Sequence, residues 1–321
     1  MGNANTKNEE TEHRFRSILA SLQHIRKEHN ENINWDVDLY RPVNPEFEES
    51  LLILVEIPLD ESYNESKSAQ QIVDEFIDRI KSRQMIKCPH LTHLTSHFLI
   101  LQKRFCAEFP VGELFLEYSD ETLLKQINDK HALYKSGVSS AEIPPPYQVF
   151  DFMQALSDAL QVLSVKNQLH GYVMPANVLI YNNASNKPLY KLFDVGLLSK
   201  HPNCYERMMI DKNYFAPLDA RLLQAYQTKN YSLTYETSDD VWGLGITALC
   251  FIFKEDFNSF YDWSRCRIRK DKIDNCLQIL SKMNYNKLLV KLLTEMVDLN
   301  SITRLKLSLV CENLRQKSSY L

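Results

Sequence analysis

Glycine is scarce in this chain of 321 residues: there are seven, and none lies between Gly2 and Gly112. Over that stretch no residue can take left-handed or closely packed backbone conformations freely. Lysine is missing from a second stretch, between Lys27 and Lys67. Long apolar runs are also lacking; Leu51 to Val55 and Ala248 to Phe253 are the longest, far short of a membrane span. The opening residues are polar, which argues against a secretory signal. Seven cysteines, an odd number with no paired spacing, argue against a disulfide framework or a zinc cluster and fit a reducing, cytoplasmic setting. A net charge of -4 and a pI near 6.2 leave no basic excess for binding nucleic acid.

What is present is enough for a globular protein. Hydrophobic residues make up 44% of the chain, sufficient for one two-lobed domain or two small ones. Phe15, Ile18, Leu19, Leu22 and Ile25 recur at helical spacing over residues 13 to 29. Leu51 to Pro58 reads as the best strand of the first half. A helix over Ser68 to Arg83 carries Ile72, Val73, Phe76, Ile77 and Ile80 on one face. Strands are expected at 97–103 and 113–118, and a short helix near 122–128. A loop over 135–146 ends in Pro144-Pro145-Pro146. A strongly periodic helix follows over 147–166. Two short apolar runs on either side of a polar turn, within 170–196, read as a hairpin. Amphipathic stretches near 270–283, 286–298 and 303–315 complete a helical second half.

Within that hairpin, His170 is followed by Asn177, and then by Asp194-Val195-Gly196. The order and spacing resemble the catalytic loop and metal-binding turn of eukaryotic protein kinases. Further segments fit the same family. Cys88-Pro89-His90-Leu91 resembles the turn after its αC helix, and Leu116-Glu117-Tyr118-Ser119 the hinge. Tyr214-Phe215-Ala216-Pro217-Leu218 resembles the close of the activation segment. Ser238-Asp239-Asp240-Val241-Trp242-Gly243 resembles the start of the buried αF helix, and Arg304 the Arg near the end of the domain. The resemblance covers roughly residues 45 to 316. It implies an α+β, two-lobed protein kinase-like fold, with a small β-rich N-lobe over 45–118 and a larger α-helical C-lobe over 119–321. Residues 1–44 are expected to form an N-terminal extension.

The resemblance also marks what has changed. Tyr172 stands at the catalytic Asp, Gly171 at the Arg before it and Met174 at a position where many members have Lys. A tyrosine, with an ordinary pKa near ~10, cannot act as the general base at neutral pH. Glu56 falls at the phosphate-binding Lys of the third strand, and the lysine-free stretch leaves no substitute nearby. The same stretch holds no glycine-rich loop. Leu218 replaces the Glu that normally pairs with Arg304, so Arg304 needs another acceptor or must face water. With Gly171 in place of Arg, phosphorylation at Ser199 or Tyr205 lacks its usual receiver. Arg79 and Glu56 are expected to reverse the usual lysine–glutamate bridge.

Asn177 and Asp194 are the candidate magnesium ligands, and Glu117 and Tyr118 would border the nucleotide, so ATP with Mg remains an optional cofactor rather than a required one. His170, Asp240 and Arg304 are expected to be structural. Met1-Gly2-Asn3-Ala4-Asn5-Thr6 fits N-myristoylation at Gly2. A single acyl chain gives reversible membrane attachment, which Glu9, Glu10 and Glu12 would not strengthen. The function expected is that of a pseudokinase, a scaffold or allosteric regulator acting on a protein partner. The alternatives are a nucleotide sensor built on Asn177 and Asp194, and a divergent, weakly active protein kinase.

Overall fold

An aliphatic run with no polar break cannot leave either of its faces to water. In the computed structural model the run Leu51–Val55 accordingly lies in Leu51–Pro58, the middle strand of a five-stranded antiparallel sheet. The strands are β1 (Leu22–Asn30), β2 (Trp35–Pro42), β3 (Leu51–Pro58), β4 (Leu94–Arg104) and β5 (Ala107–Tyr118), in the order β1-β2-β3-β5-β4. A helical segment over 13–20, α1, precedes the sheet, and α2 (Ala69–Gln84) falls between β3 and β4 in the chain. The described residues are 11, 13–30, 35–43, 51–59, 68–104, 107–135, 143–182, 187–193, 218–230, 233 and 235–317. They divide into two compact units, one running to Lys87 and including Thr92–Ser119, the other made of Cys88–Leu91 and everything from Asp120 on.

In the first unit the two faces of the sheet are covered differently. Leu54, Phe98 and Phe115 point to one face, where Phe15, Ile18 and Leu19 of α1 pack on them. Phe15 meets Phe98 edge-on at 5.2 Å between ring centroids. On the other face Phe76 of α2 lies so close to Gly112 that a Cβ there would sit 2.3 Å from the ring. A glycine at this position is therefore a packing requirement. Ser68 caps α2 in a reciprocal capping box with Gln71.

The helical spacing expected through residue 29 holds only as far as residue 20. Ser21 donates from both its N and its Oγ to the carbonyl of Ile18, which closes the helix. From Leu22 the chain pairs with β2, and Ile25 falls at a register shift between His24 and Arg26, on the exposed side of the strand. Its position in the helical pattern was coincidental. The sheet therefore begins well before residue 45, and the stretch expected as a separate N-terminal extension supplies its first two strands.

The second unit is helical apart from two hairpins. It contains α3 (Leu123–Lys135), α4 (Pro146–Val165), the hairpin β6 (Val178–Asn182) and β7 (Pro188–Leu192), then α5 (Ala220–Thr228), α6 (Thr237–Phe253), α7 (Lys270–Lys282), α8 (Lys287–Met296) and α9 (Leu307–Lys317). A small pair, Tyr261–Asp262 with Arg267–Ile268, follows α6. Helix α6 is buried on almost every side, as its sequence, apolar from Val241 onward except for Thr247, requires. Phe251 of α6 stacks on Phe152 of α4 at 4.4 Å. The turn Cys88–Leu91 is pinned to β7, with Leu192 N donating to the His90 carbonyl at 2.9 Å.

Candidate functional site

The loop from His170 to Asn177 is suspended from α6. Asp240, in the first turn of that helix, is 3% exposed and accepts from His170 N at 3.0 Å and from Gly171 N at 2.8 Å. Burial pushes its carboxyl up, while His170 and these two N–H groups act in the opposite direction. Further along, Thr247 Oγ1 donates to the Val173 carbonyl at 3.0 Å. His170 is also buried, and its Nε2 donates to the Phe193 carbonyl at 2.9 Å while Nδ1 accepts from Tyr172 N at 3.2 Å. Both ring nitrogens are thereby committed to backbone, which makes His170 structural. Gly171 has φ 77°, where a side chain is strained by roughly 1–2 kcal/mol.

Tyr172, at the position of the family's catalytic Asp, is 1% exposed and among the largest fully buried side chains. Met174 is half-buried. Asn177 closes a short 3-10 turn, and its Nδ2 donates to the Tyr172 carbonyl at 2.9 Å. Its Oδ1 is buried without a hydrogen-bond partner. An orphaned carbonyl oxygen of this kind fits a cation ligand. Asp194, the second candidate ligand, lies outside the described residues, as do Gly2, Ser199, Tyr205 and the stretch 214–217. Among the described residues no group of three or more His, Cys, Asp or Glu could hold a metal, and no helix is long and apolar enough to cross a membrane.

The first unit corrects the reading of Glu56. In kinases the third-strand lysine pairs with a glutamate of the helix that follows, so it must share a sheet face with that helix. Glu56 pairs directly with Glu113, and Ile57 with Gly112. Since side chains alternate along a strand and Gly112 faces Phe76 of α2, Glu56 and Glu113 point to the opposite face. The face turned to α2 carries Ile53, Val55 and Ile57, all buried. The lysine position is thus aliphatic rather than acidic, and a reversed bridge between Glu56 and Arg79 of α2 does not form. Arg79 is held below the ordinary arginine range by burial, with Glu75 as its opposing charge. At the hinge, Glu117 accepts from His93 N at 3.1 Å, and Tyr118 is buried.

Glu113 itself was missed by sequence reading, since a single Glu in a strand gives no sign of burial. It is 2% exposed, and burial, followed by the nearby charges of Glu56 and Asp38, pushes its pKa up to about 8.

Arg304 does find an acceptor. Its Nη1 donates to Asp219 at 3.0 Å and to the Ser238 carbonyl at 2.9 Å, and Nε reaches the Asp298 carbonyl at 2.9 Å. Both members of the Arg304–Asp219 pair are fully buried. The acid has moved one residue, from the position of Leu218 to its neighbour, and a search one place further along would have found it. Asp219 also caps α5, its Oδ1 accepting from Leu222 N at 2.8 Å. Beside it Asp239 binds Arg221, and burial together with the charge of Asp219 pushes the Asp239 pKa up to about 8.

A family model described as protein kinase domain matches residues 61–316, and the chain belongs to that family. The match begins after β3, so the first three strands lie outside it. None of the curated proteins matches the chain. Among solved structures, the PknI kinase domain of Mycobacterium tuberculosis is similar with a TM-score of 0.53 at 14% identity, covering 93% of this chain and 96% of that one. A singly substituted form of the same domain gives a TM-score of 0.52 at the same identity and coverage. At that identity the likeness shows the fold alone: a two-lobed α+β kinase fold.

Two consequences are measurable. Asp219→Ala leaves the Arg304 guanidinium buried without its carboxylate, and unfolding titrations should show a loss of about 3–5 kcal/mol; a loss below about 1 kcal/mol would remove Asp219 from this role. Glu113 keeps its proton in the folded protein over a range where the unfolded chain has released it. Its contribution to stability is therefore full below pH 4.5 and is lost as pH rises to about 8, by at most about 1.4 kcal/mol per pH unit. Glu113→Gln should flatten the stability profile across that window, and an unchanged slope would contradict a buried, protonated Glu113.

Proposed function

We propose that this protein is an interaction module on a kinase fold, a pseudokinase that transfers no phosphoryl group and acts on a protein partner as a scaffold or allosteric regulator. The observation that carries this reading is Tyr172. A protein kinase needs a carboxylate within hydrogen-bond reach of the substrate hydroxyl, and loss of such a base typically costs ~10²- to 10⁴-fold in rate. Here the position holds a buried phenol, in a loop where Asp240, His170 and Asn177 each bond to backbone groups. The aliphatic face of β3 adds a second defect, because a charge-assisted contact to phosphate, worth roughly 1.5–3 kcal/mol, has no donor there. Reversible anchoring through a myristoyl group on Gly2 would place such a scaffold at a membrane from the cytoplasm.

Kinase domains use ATP with Mg²⁺, and one observation favours a second reading, a nucleotide sensor. Asn177 keeps a free Oδ1 while its Nδ2 orders the loop. It could share a magnesium ion with Asp194, which would supply charge neutralisation at the phosphates.

Purified protein incubated with labelled ATP and Mg²⁺ or Mn²⁺ should incorporate no phosphate into itself or into generic substrates. Incorporation that disappears in Asp194→Asn would overturn the pseudokinase reading. In the same preparation ATP should leave the melting temperature unchanged. A metal-dependent rise, equivalent to about 2.7 kcal/mol at ~100 times the Kd and lost in Asn177→Ala, would select the sensor instead.

A further inference from the structure

The two edges of the five-stranded sheet are built differently. At one edge, β1 exposes His24, Arg26 and Lys27, and a register shift between His24 and Arg26 breaks its pairing with β2. Charges and bulges of this kind keep an edge strand from pairing with another chain. At the other edge, β4 has neither over most of its length. Its register with β5 slips once, between Leu94 and Ser96, and is even from there to Arg104. Residues 96–102 include no Asp, Glu, Lys or Arg. His97, the one titratable side chain among them, is held below the ordinary histidine range by burial and by the charge of Arg14, and its Nδ1 accepts from Gln84 Nε2 at 3.0 Å. Phe98 is buried, Leu99 and Ile100 are half-buried, and Leu101 is 47% exposed. Among the described residues no strand pairs with the outer edge of β4. At every second residue its backbone N–H and C=O therefore point away from the sheet.

We propose that β4 is a pairing edge for a second copy of this chain, the two β4 strands joining antiparallel about a two-fold axis at Leu99 so that one sheet runs through both copies. The charge pattern selects this occupant and this direction. Lys103 and Arg104 close the strand at one end only. Parallel pairing would set the two basic ends side by side, whereas a two-fold antiparallel pairing puts them at opposite ends of the joint. Leu99 then meets its own copy, Phe98 lies opposite Ile100, His97 opposite Leu101 and Ser96 opposite Gln102. Neutral residues meet neutral residues throughout, and each opposed pair shares a sheet face, as an antiparallel ladder requires. The second main chain satisfies the outward N–H and C=O groups, and Leu99, Ile100 and Leu101 lose contact with water. A joint of this size is weak and reversible, with a dissociation constant on the order of ~10–100 µM.

The pairing concerns the first unit alone and does not depend on whether the His170–Asn177 loop is catalytically inert. It goes beyond the scaffold reading by naming one partner, and its failure would leave that reading standing.

The test is sedimentation equilibrium of the full chain over ~1–200 µM, paired with amide hydrogen exchange at both ends of that range. A monomer–dimer equilibrium is expected, with the amides of residues 96–102 exchanging more slowly in the dimer. Leu101→Lys places a charge on the edge at an exposed position, so it should weaken dimerisation about tenfold or more and leave the melting temperature of the monomer unchanged. Ile25→Lys, the same change on the β1 edge, should dimerise as the parent does. A chain that stays monomeric over the whole range overturns the proposal, even if it takes up a foreign strand. So does a dimer that Leu101→Lys leaves intact, one that Ile25→Lys weakens equally, or one whose 96–102 amides exchange as in the monomer.

Discussion

One buried carboxylate holds the centre of this structure. Asp240 accepts from the backbone of His170 and Gly171, and so ties the loop that leads into β6 to the most deeply buried helix of the second unit. A buried charge is tolerable only when its hydrogen bonds are made, and these two donors are what make Asp240 affordable at the foot of α6. The loop in turn satisfies α6 through Thr247, fixes His170 against Phe193 and leaves Asn177 to order Tyr172 from the other side. Each of these contacts ends on a backbone group. The frame that kinases use to aim a base survives here as a self-sufficient piece of architecture.

The same economy appears at Arg304. A buried guanidinium must have a carboxylate, but the position that supplies it has moved from residue 218 to residue 219. The interaction is retained because its loss would strand a buried charge. At the places of the family's base and third-strand lysine, Tyr172 is buried in the loop, and the face of β3 turned to α2 is aliphatic. The left-handed backbone at Gly171 fits this pattern, since glycine relieves strain where the family has an Arg that serves activation.

The second unit was largely legible in the sequence. Helices α4, α7 and α8 lie close to where periodicity placed them and α6 where the resemblance to the αF helix did, and the β6–β7 hairpin follows from two apolar runs around a polar turn. Order and spacing of His170, Asn177 and Asp240 identified the loop and its brace. The first unit was harder to read. Leu22 and Ile25 mimic helical spacing, yet they lie on a strand whose identity is set by pairing with β2, which local pattern does not reveal. Glu56 was assigned by counting along β3, while its true face is decided by the register with β5 and by Phe76 against Gly112. A shift of one residue turns every side chain of a strand to the other face. Asp219 and Glu113 escaped for a related reason, because burial of a single acid is a property of what surrounds it.

Amide hydrogen exchange at His170 and Gly171 tests most directly whether the loop is held as a structural unit. If Asp240 braces it as described, both amides should exchange only through global unfolding, at rates matching the core of α6, and should lose that protection in Asp240→Asn. Rapid exchange of these two amides in the unmodified protein would show that the loop opens on its own, and that the frame is not what holds the domain together.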